Sequence, residues 1–383
     1  MDTFNAHYGF AEALVRGYRS GFLTAEDYKK LGTCESLEDI RSALEDTDYG
    51  SFLQDEPAPL LVPRIVQKCK EKLADEFFFL KCQAVGDLER FLDFVKMDRM
   101  IDNVLMIVQG TLNNKSVKEL LARIDPLGFF EELKTIPSID IAHGLDDLYK
   151  TILIDTPIGK YFLDFLETVA ASDASARDSS NVATILSEAD LEIMKNILKK
   201  SWLEDFNQFC QSVGGTTGEV MGNMLSTEAD FRVLMVTLNA LNSPLGTAQQ
   251  LADRNALYPS FGYLYPEGTD RIRKAWNEQT VRVALEPFQK YSQLYEQVKS
   301  FYDKESKQSA EKGKYKSIED LLYAENCMLF ELAFENQFHF GIFYAWVKLR
   351  EQEIRNIEWI ANMVQMGRKD HVDDIVPIFA RRE

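Results

Sequence analysis

Residues 191–213 read LEIMKNILKKSWLEDFNQFCQSV, and their spacing decides the fold class. Leu191, Met194 and Leu198, then Trp202, Phe206, Phe209 and Val213, recur every three or four residues. On a helix of 3.6 residues per turn these positions share one side, so the stretch predicts a long helix with an aromatic inner stripe. Gly214 and Gly215 follow at once and predict its C-terminal stop.

The same period appears on both sides of this stretch. Leu88, Phe91, Leu92 and Val95 stand at i, i+3, i+4 and i+7, and Ile354, Ile357, Ala361 and Val364 mark another helix near the C-terminus. Strict period-two alternation is hard to find, so strands should be few and the chain is expected to be all-α. Local signals mark helix starts. Thr24 with Asp27 predicts a capping pair, Ser36 predicts a cap before Leu37, and Pro57, Pro59 and Pro63 break the chain before a helix near Ile65. Two polar stretches, Ala170 to Asn181 and Lys304 to Lys316, have no apolar period and are expected to be exposed loops.

A weak internal repeat is visible. Leu37-Glu38-Asp39-Ile40 leads to Asp46-Thr47-Asp48-Tyr49-Gly50, and Leu145-Asp146-Asp147-Leu148 leads to Asp155-Thr156-Pro157-Ile158-Gly159. A fainter third copy is expected from Leu234 through Gly268-Thr269-Asp270. Repeated helical units bury a core by stacking on or ringing one another.

Composition excludes several function classes. The 383 residues are 45% hydrophobic and include 25 Phe, enough for a sizeable core. Acidic residues number 61 against 43 basic, a net charge of −18. Such a surface repels both phosphate backbones and anionic headgroups, which argues against nucleic acid as a partner and against a basic lipid anchor. The five cysteines are widely spaced with no CxxC and read as reduced thiols of a cytosolic setting. No signal peptide opens the sequence, and no window of about 18 apolar residues would span a membrane.

Recognisable catalytic motifs are missing. There is no GxxxxGK[ST], GxGxxG, GxSxG or HExxH. Gly214-Gly215-Thr216-Thr217-Gly218 has the glycines of a phosphate nest without a lysine, and a helix stop is the better reading. Glu335 and His339 would share a helix face, but two ligands are too few for a metal, so His339 is expected to be a buried, satisfied histidine. No catalytic pair, cofactor site or metal site is indicated. The aromatic stretch Tyr258, Phe261, Tyr263 and Tyr265, broken by Pro259 and Pro266, is expected to form a small cap on the core or a contact surface.

Leu14-Val15-Arg16-Gly17, Cys34-Glu35-Ser36-Leu37-Glu38-Asp39, Thr47-Asp48-Tyr49-Gly50-Ser51-Phe52-Leu53 and Met100-Ile101-Asp102-Asn103-Val104 are ordered blocks that resemble the V-type ATPase subunit d family. Ile154-Asp155-Thr156-Pro157 and Leu264-Tyr265-Pro266-Glu267-Gly268 follow in order. The most specific block is C-terminal: Asn336-Gln337-Phe338-His339-Phe340-Gly341, then Glu351-Gln352-Glu353, Arg355-Asn356-Ile357 and Trp359-Ile360-Ala361. Ala170 to Asn181 and Lys304 to Lys316 depart from the pattern as insertions.

The resemblance implies three related helical bundles around a pseudo-three-fold axis, forming a funnel, with units at approximately 1–95, 96–215 and 216–383. It implies a non-catalytic subunit of the V0 sector, held on the cytoplasmic face of vacuolar or endomembrane compartments by protein partners. One end would cap the proteolipid c ring, the other would receive the shaft of subunits D and F, and subunit a would lie alongside. Partner contacts are expected at Tyr49, Ile158, Tyr258, Phe261, Tyr263 and Tyr265, while the C-terminal block is expected to be core. Two other readings share the acidity and the missing motifs. One is a helical-repeat scaffold or trafficking adaptor. The other is an enzyme without a linear motif, which a deep pocket of convergent pKa-shifted groups would favour.

Overall fold

The computed structural model describes residues 2–113, 115–138, 156–172, 188–241, 254, 256–294 and 318–379. Among them the chain forms helices and no strand. These are α1 (Asp2–Tyr18), α2 (Ala25–Thr33), α3 (Leu37–Leu44), α4 (Gly50–Leu53), α5 (Val62–Cys82), α6 (Asp87–Leu112) and α7 (Val117–Leu121). The remainder are α8 (Gly159–Ser172), α9 (Glu188–Val213), α10 (Gly215–Leu241), α11 (Glu267–Ile272), α12 (Glu278–Leu285), α13 (Ile318–Ala333) and α14 (Gly341–Gln365). The all-α expectation holds.

Local chemistry sets many of the ends. Thr24 and Asp27 form a reciprocal capping box at α2, and Ser36 and Asp39 form another at α3, so each helix starts with its free N–H groups satisfied. Pro63 sits in the first turn of α5, where a missing N–H costs nothing, and the helix therefore starts at Val62, before Ile65. Gly214 takes φ 69° and ends α9 where expected, and α10 begins at the next residue. Ala170 to Ser172 close α8 rather than joining a loop. The rest of the Ala170 to Asn181 stretch, all of Lys304 to Lys316 and the Leu145-Asp146-Asp147-Leu148 copy lie outside the described residues.

The aromatic stripe of α9 is the centre of the main core. Trp202, Phe206 and Cys210 are fully buried between α6, α10 and α14. Phe206 meets Phe91 at 5.2 Å, stacks on Phe94 at 5.3 Å and packs edge-on against Tyr344 at 5.7 Å. Trp202 donates its ring N–H to the Phe94 carbonyl at 2.8 Å, which satisfies the polar tip of a buried ring. The C-terminal block is core as expected: Phe340 to Val347 are all buried. Phe338 is the exception, half-buried with a φ of 66°. His339 is buried, its Nε2 lying 3.1 Å from the Ala333 carbonyl, while its Nδ1 has no hydrogen-bond partner among the described residues. A second, smaller core joins Phe231, Val233 and Leu234 of α10 to Leu264, Ile272, Val281, Leu285 and Tyr291.

The internal repeat has a physical form that its sequence only hints at. Near the N-terminal helices, Glu353 of α14 is fully buried; it accepts from the Leu23 backbone N–H at 2.7 Å and from the Tyr49 hydroxyl at 2.6 Å. Likewise, Asp230 of α10 is buried and accepts from the Leu264 N–H at 3.0 Å and from the Tyr291 hydroxyl. The leucines sit in matching tripeptides, Gly21-Phe22-Leu23 and Gly262-Tyr263-Leu264. At one spacing beyond them come two eight-residue helices with capping boxes, α3 from Ser36 and α12 from Asn277. Both carry R-x-A-L-E: Arg41 to Glu45 and Arg282 to Glu286. The core positions correspond too, Ile40 with Val281 and Leu44 with Leu285, all fully buried. The α3 motif thus has a counterpart at Glu278–Leu285.

The second copy shares the turn of the first. Gly50 N–H donates to Thr47 O at 3.0 Å and Phe52 N–H to Tyr49 O at 3.1 Å; Gly159 N–H donates to Thr156 O at 3.0 Å and Tyr161 N–H to Ile158 O at 3.1 Å. Ile158 stands where the first copy has Tyr49 and has no hydroxyl to give a carboxylate.

Candidate functional site

A cavity of about 720 Å³ is bounded by α6, α9, α10, α13 and α14. One wall is a charged girdle. Asp98 of α6 is buried and pairs with Lys199 of α9 at 2.5 Å and Lys348 of α14 at 3.0 Å. Arg99 grips Glu351 of α14 through two hydrogen bonds, 2.6 and 2.8 Å, and reaches Asp102 at 3.0 Å. Lys199 also donates to the Asp98 carbonyl at 2.6 Å. Three long helices are thus tied by ion pairs with almost every oxygen satisfied, the condition under which buried charge is tolerated.

The electrostatics show what this girdle can do. Burial alone would raise the Asp98 carboxyl, but Lys199, Lys348 and Arg99 pull it well below the usual carboxylate range. Glu351 is likewise held down against its burial by Arg99 and Lys348. Burial opposes the charge on Lys348, yet Asp98 and Glu351 push its pKa up. Each group is driven away from neutrality, so all stay charged at physiological pH. A general acid or base needs the reverse, a pKa brought toward the working pH. The girdle clamps helices and moves no proton. No group of three or more His, Cys, Asp or Glu among the described residues is placed to hold a metal ion.

Above the girdle the wall changes character. Phe231, Leu257, Leu322, Tyr323 and Phe330 give it an apolar side, and Arg232, Arg254 and Arg355 add guanidinium groups. Arg355 lies over the Tyr323 ring, 3.8 Å from its centre. Of these residues only Arg355 lay in a block singled out in the sequence, because they come from separate helices and no linear motif joins them.

The six residues expected to meet partners divide between core and surface. Tyr49, Ile158 and Tyr258 are buried, which corrects the expectation for them. Tyr49 is spent on Glu353, Ile158 fills the core under α8, and the Tyr258 hydroxyl lies 2.7 Å from Thr237 Oγ1. Phe261 is partly buried against the main core. Only Tyr263, 53% exposed, and Tyr265, 47% exposed, face outward.

Their neighbourhood contains two residues that no sequence signal singled out. Trp276 is 64% exposed and Val283 of α12 is 51% exposed. The internal duplication supplies a control. The positions matching Tyr265, Trp276 and Val283 in the first unit are Thr24, Glu35 and Ser42, which are exposed and polar. The position matching Tyr263 is Phe22, buried under the Arg350 guanidinium at 4.2 Å and the Phe379 ring at 5.5 Å. The third unit has exchanged a wettable face for aromatic and aliphatic groups. The R-x-A-L-E match is the signal that could have revealed this, since it aligns the two copies residue by residue.

No helix among the described residues is long and apolar enough to cross a membrane. The sequence profile of the ATP synthase (C/AC39) subunit family matches residues 11–375. The chain is 39% identical to a probable V-type proton ATPase subunit d of Oryza sativa subsp. japonica, over 98% of this chain and 97% of that one. It is 32% identical to the V-type proton ATPase subunit d of Saccharomyces cerevisiae, over 98% and 99%. A more distant similarity, 25% over 51% of this chain and 54% of the relative, joins it to a subunit of the A-type ATP synthase of Methanocaldococcus jannaschii.

Proposed function

The chain belongs to the ATP synthase (C/AC39) subunit family, beside its V-type proton ATPase subunit d members, and from that premise we propose that it is the non-catalytic rotor adaptor of such a pump. In this reading it sits in the V0 sector and caps the cytoplasmic face of the proteolipid c ring. It receives the central shaft of subunits D and F, lies near subunit a, and passes ATP-driven rotation to the ring that carries protons. Protein partners hold it at vacuolar or endomembrane surfaces. The observation that carries the reading is similarity along 98% of the chain to V-type proton ATPase subunit d proteins of a plant and a yeast.

The geometry is consistent with that role. A torque adaptor must resist shear, and the Asp98 girdle crosslinks α6, α9 and α14 through ion pairs while Phe206 and its neighbours fill the space between them. The matched Glu353 and Asp230 constellations support internal repetition of helical units, with Ile158 apolar where the first copy has Tyr49. The charged groups of the cavity are clamped ion pairs, which favours the adaptor over an enzyme.

A partner contact of the third unit is assigned to Tyr263, Tyr265, Trp276 and Val283, because the matching face of the first unit is polar or covered. Affinity capture of the tagged chain from gently solubilised membranes, with mass spectrometry of what is retained, tests both the adaptor role and this contact. Recovery of ring, shaft and a subunits is expected. Trp276→Asp and Tyr265→Asp should leave thermal stability nearly unchanged, as exposed substitutions do, while reducing that recovery. A folded, abundant chain that retains none of those subunits would overturn the adaptor reading. Full recovery with both variants would overturn the contact assignment.

A further inference from the structure

Arg254 stands apart from the charged girdle. It is 2% exposed and lines the cavity between α10, α13 and α14. Its Nη2 donates to the carbonyls of Arg273 at 2.8 Å and Ala275 at 2.7 Å, which fixes the guanidinium in place. Its Nε and Nη1 are buried and have no hydrogen-bond partner among the described residues. Two further cations on the same cavity share this state, Arg232 at Nε and Arg355 at Nη1. Arg232 lies 3.6 Å from Glu228 Oε1, while Oε2 of that carboxylate accepts from the Tyr344 hydroxyl at 2.5 Å.

A guanidinium cannot shed its proton to escape such a setting, and leaving its donors unpaired in the interior costs more than leaving a neutral group unpaired. Among the described residues the cavity wall has seven cationic side chains against five acidic ones, inside a chain whose net charge is −18. The five acids include those clamped in the girdle, so the surplus of positive charge lies with the arginines. Guanidinium forks match the oxygens of phosphate groups in pairs.

We propose that this cavity is a binding site for a phosphate-bearing small anion, held by Arg254, Arg232 and Arg355. A volume of about 720 Å³ exceeds what inorganic phosphate needs and is in the usual range for ligand pockets, roughly 300–1,000 Å³. An organic portion of the ligand therefore has room against Phe231, Tyr323 and Phe330. Because α10, α13 and α14 each contribute to the wall, an occupant would bridge three helices and stiffen the region they enclose. The site does not depend on the rotor reading and can be tested on the isolated chain.

Isothermal titration of the purified full-length chain with inorganic pyrophosphate is the test. Saturable binding to one site is expected. Arg232→Gln and Arg355→Gln should each weaken it at least tenfold, and Arg271→Gln, an exposed residue paired with Glu267 at 2.9 Å, should leave it unchanged. Arg254→Gln should abolish binding. Should that variant fail to fold, because Arg273 and Ala275 lose their donor, the other two carry the test. Absence of saturable binding, or binding that Arg232→Gln and Arg355→Gln both leave intact, would overturn the proposal.

Discussion

Two buried carboxylates do the same structural work in different surroundings, and the difference has consequences at single residues. Glu353 has the Arg350 guanidinium at 2.7 Å to offset its charge. Asp230 has no cation in contact among the described residues; Lys290 acts on it only from a distance. Burial therefore wins over its hydrogen bonds and raises the Asp230 pKa to about 6. A folded-state value above the unfolded one means the native chain holds a proton that the unfolded chain has lost. The stabilisation is complete below pH about 4 and is lost as pH rises to about 6, an effect of about 3 kcal/mol. Asp230→Asn removes that titration, so wild type should lose about 3 kcal/mol relative to the variant between those pH values in urea unfolding. The tyrosines that serve the two acids give a second prediction. Tyr49→Phe and Tyr291→Phe each take a hydroxyl donor from a buried carboxylate and should each cost about 1.5–3 kcal/mol in the same assay. Gly262 is constrained by the same acid, since a Cβ there would lie 2.4 Å from Asp230 Oδ1 and its φ is 126°.

At the scale of elements, short helices matter because they carry the turns that reach the buried acids. α3 and α12 have eight residues each, too few to persist without tertiary support. Their capping boxes fix where the first turn starts, and so where Ile40 and Leu44, or Val281 and Leu285, enter the core. Ser36→Ala and Asn277→Ala should each lower stability by about 1 kcal/mol. The matched geometry predicts losses of similar size, measurable by chemical unfolding, and a large difference between them would mean that the two helices are not equivalent. The long helices behave otherwise. α9 is held by its aromatic stripe and α14 in part by Ile354, Ile357, Ala361 and Val364, and both sets could be read from the 3.6-residue period alone.

Across the molecule, the girdle around Asp98 connects helices that are far apart in the chain. Asp98 and Glu351 both have folded-state pKa values below their unfolded ones. Their contribution is therefore present above the ordinary carboxylate range, near pH 4, and is lost as pH falls through and below it. The chain should lose thermal stability steeply on acidification below pH about 4, and Lys199→Met should cost about 3–5 kcal/mol at neutral pH by leaving Asp98 short of a buried partner. A Lys199→Met protein as stable as wild type would mean that the ion pairs do not clamp the helices.

The sequence by itself determined the helical class, the positions of the long helices, the caps at Thr24 and Ser36, the stop at Gly214 and the family blocks. All of these depend on neighbours within a few residues, through helical period, capping and backbone preference. Tertiary structure decided which aromatic residues are core and which are surface. Tyr49 sits in a short turn with no period to orient it, and its burial depends on Glu353, 304 residues away. Trp276 and Val283 are exposed because nothing in the described fold covers them, a fact about neighbours in space. The cavity arginines were equally hidden: guanidinium groups form a site only where several helices bring them to one wall, and the order of residues along the chain does not encode that convergence locally.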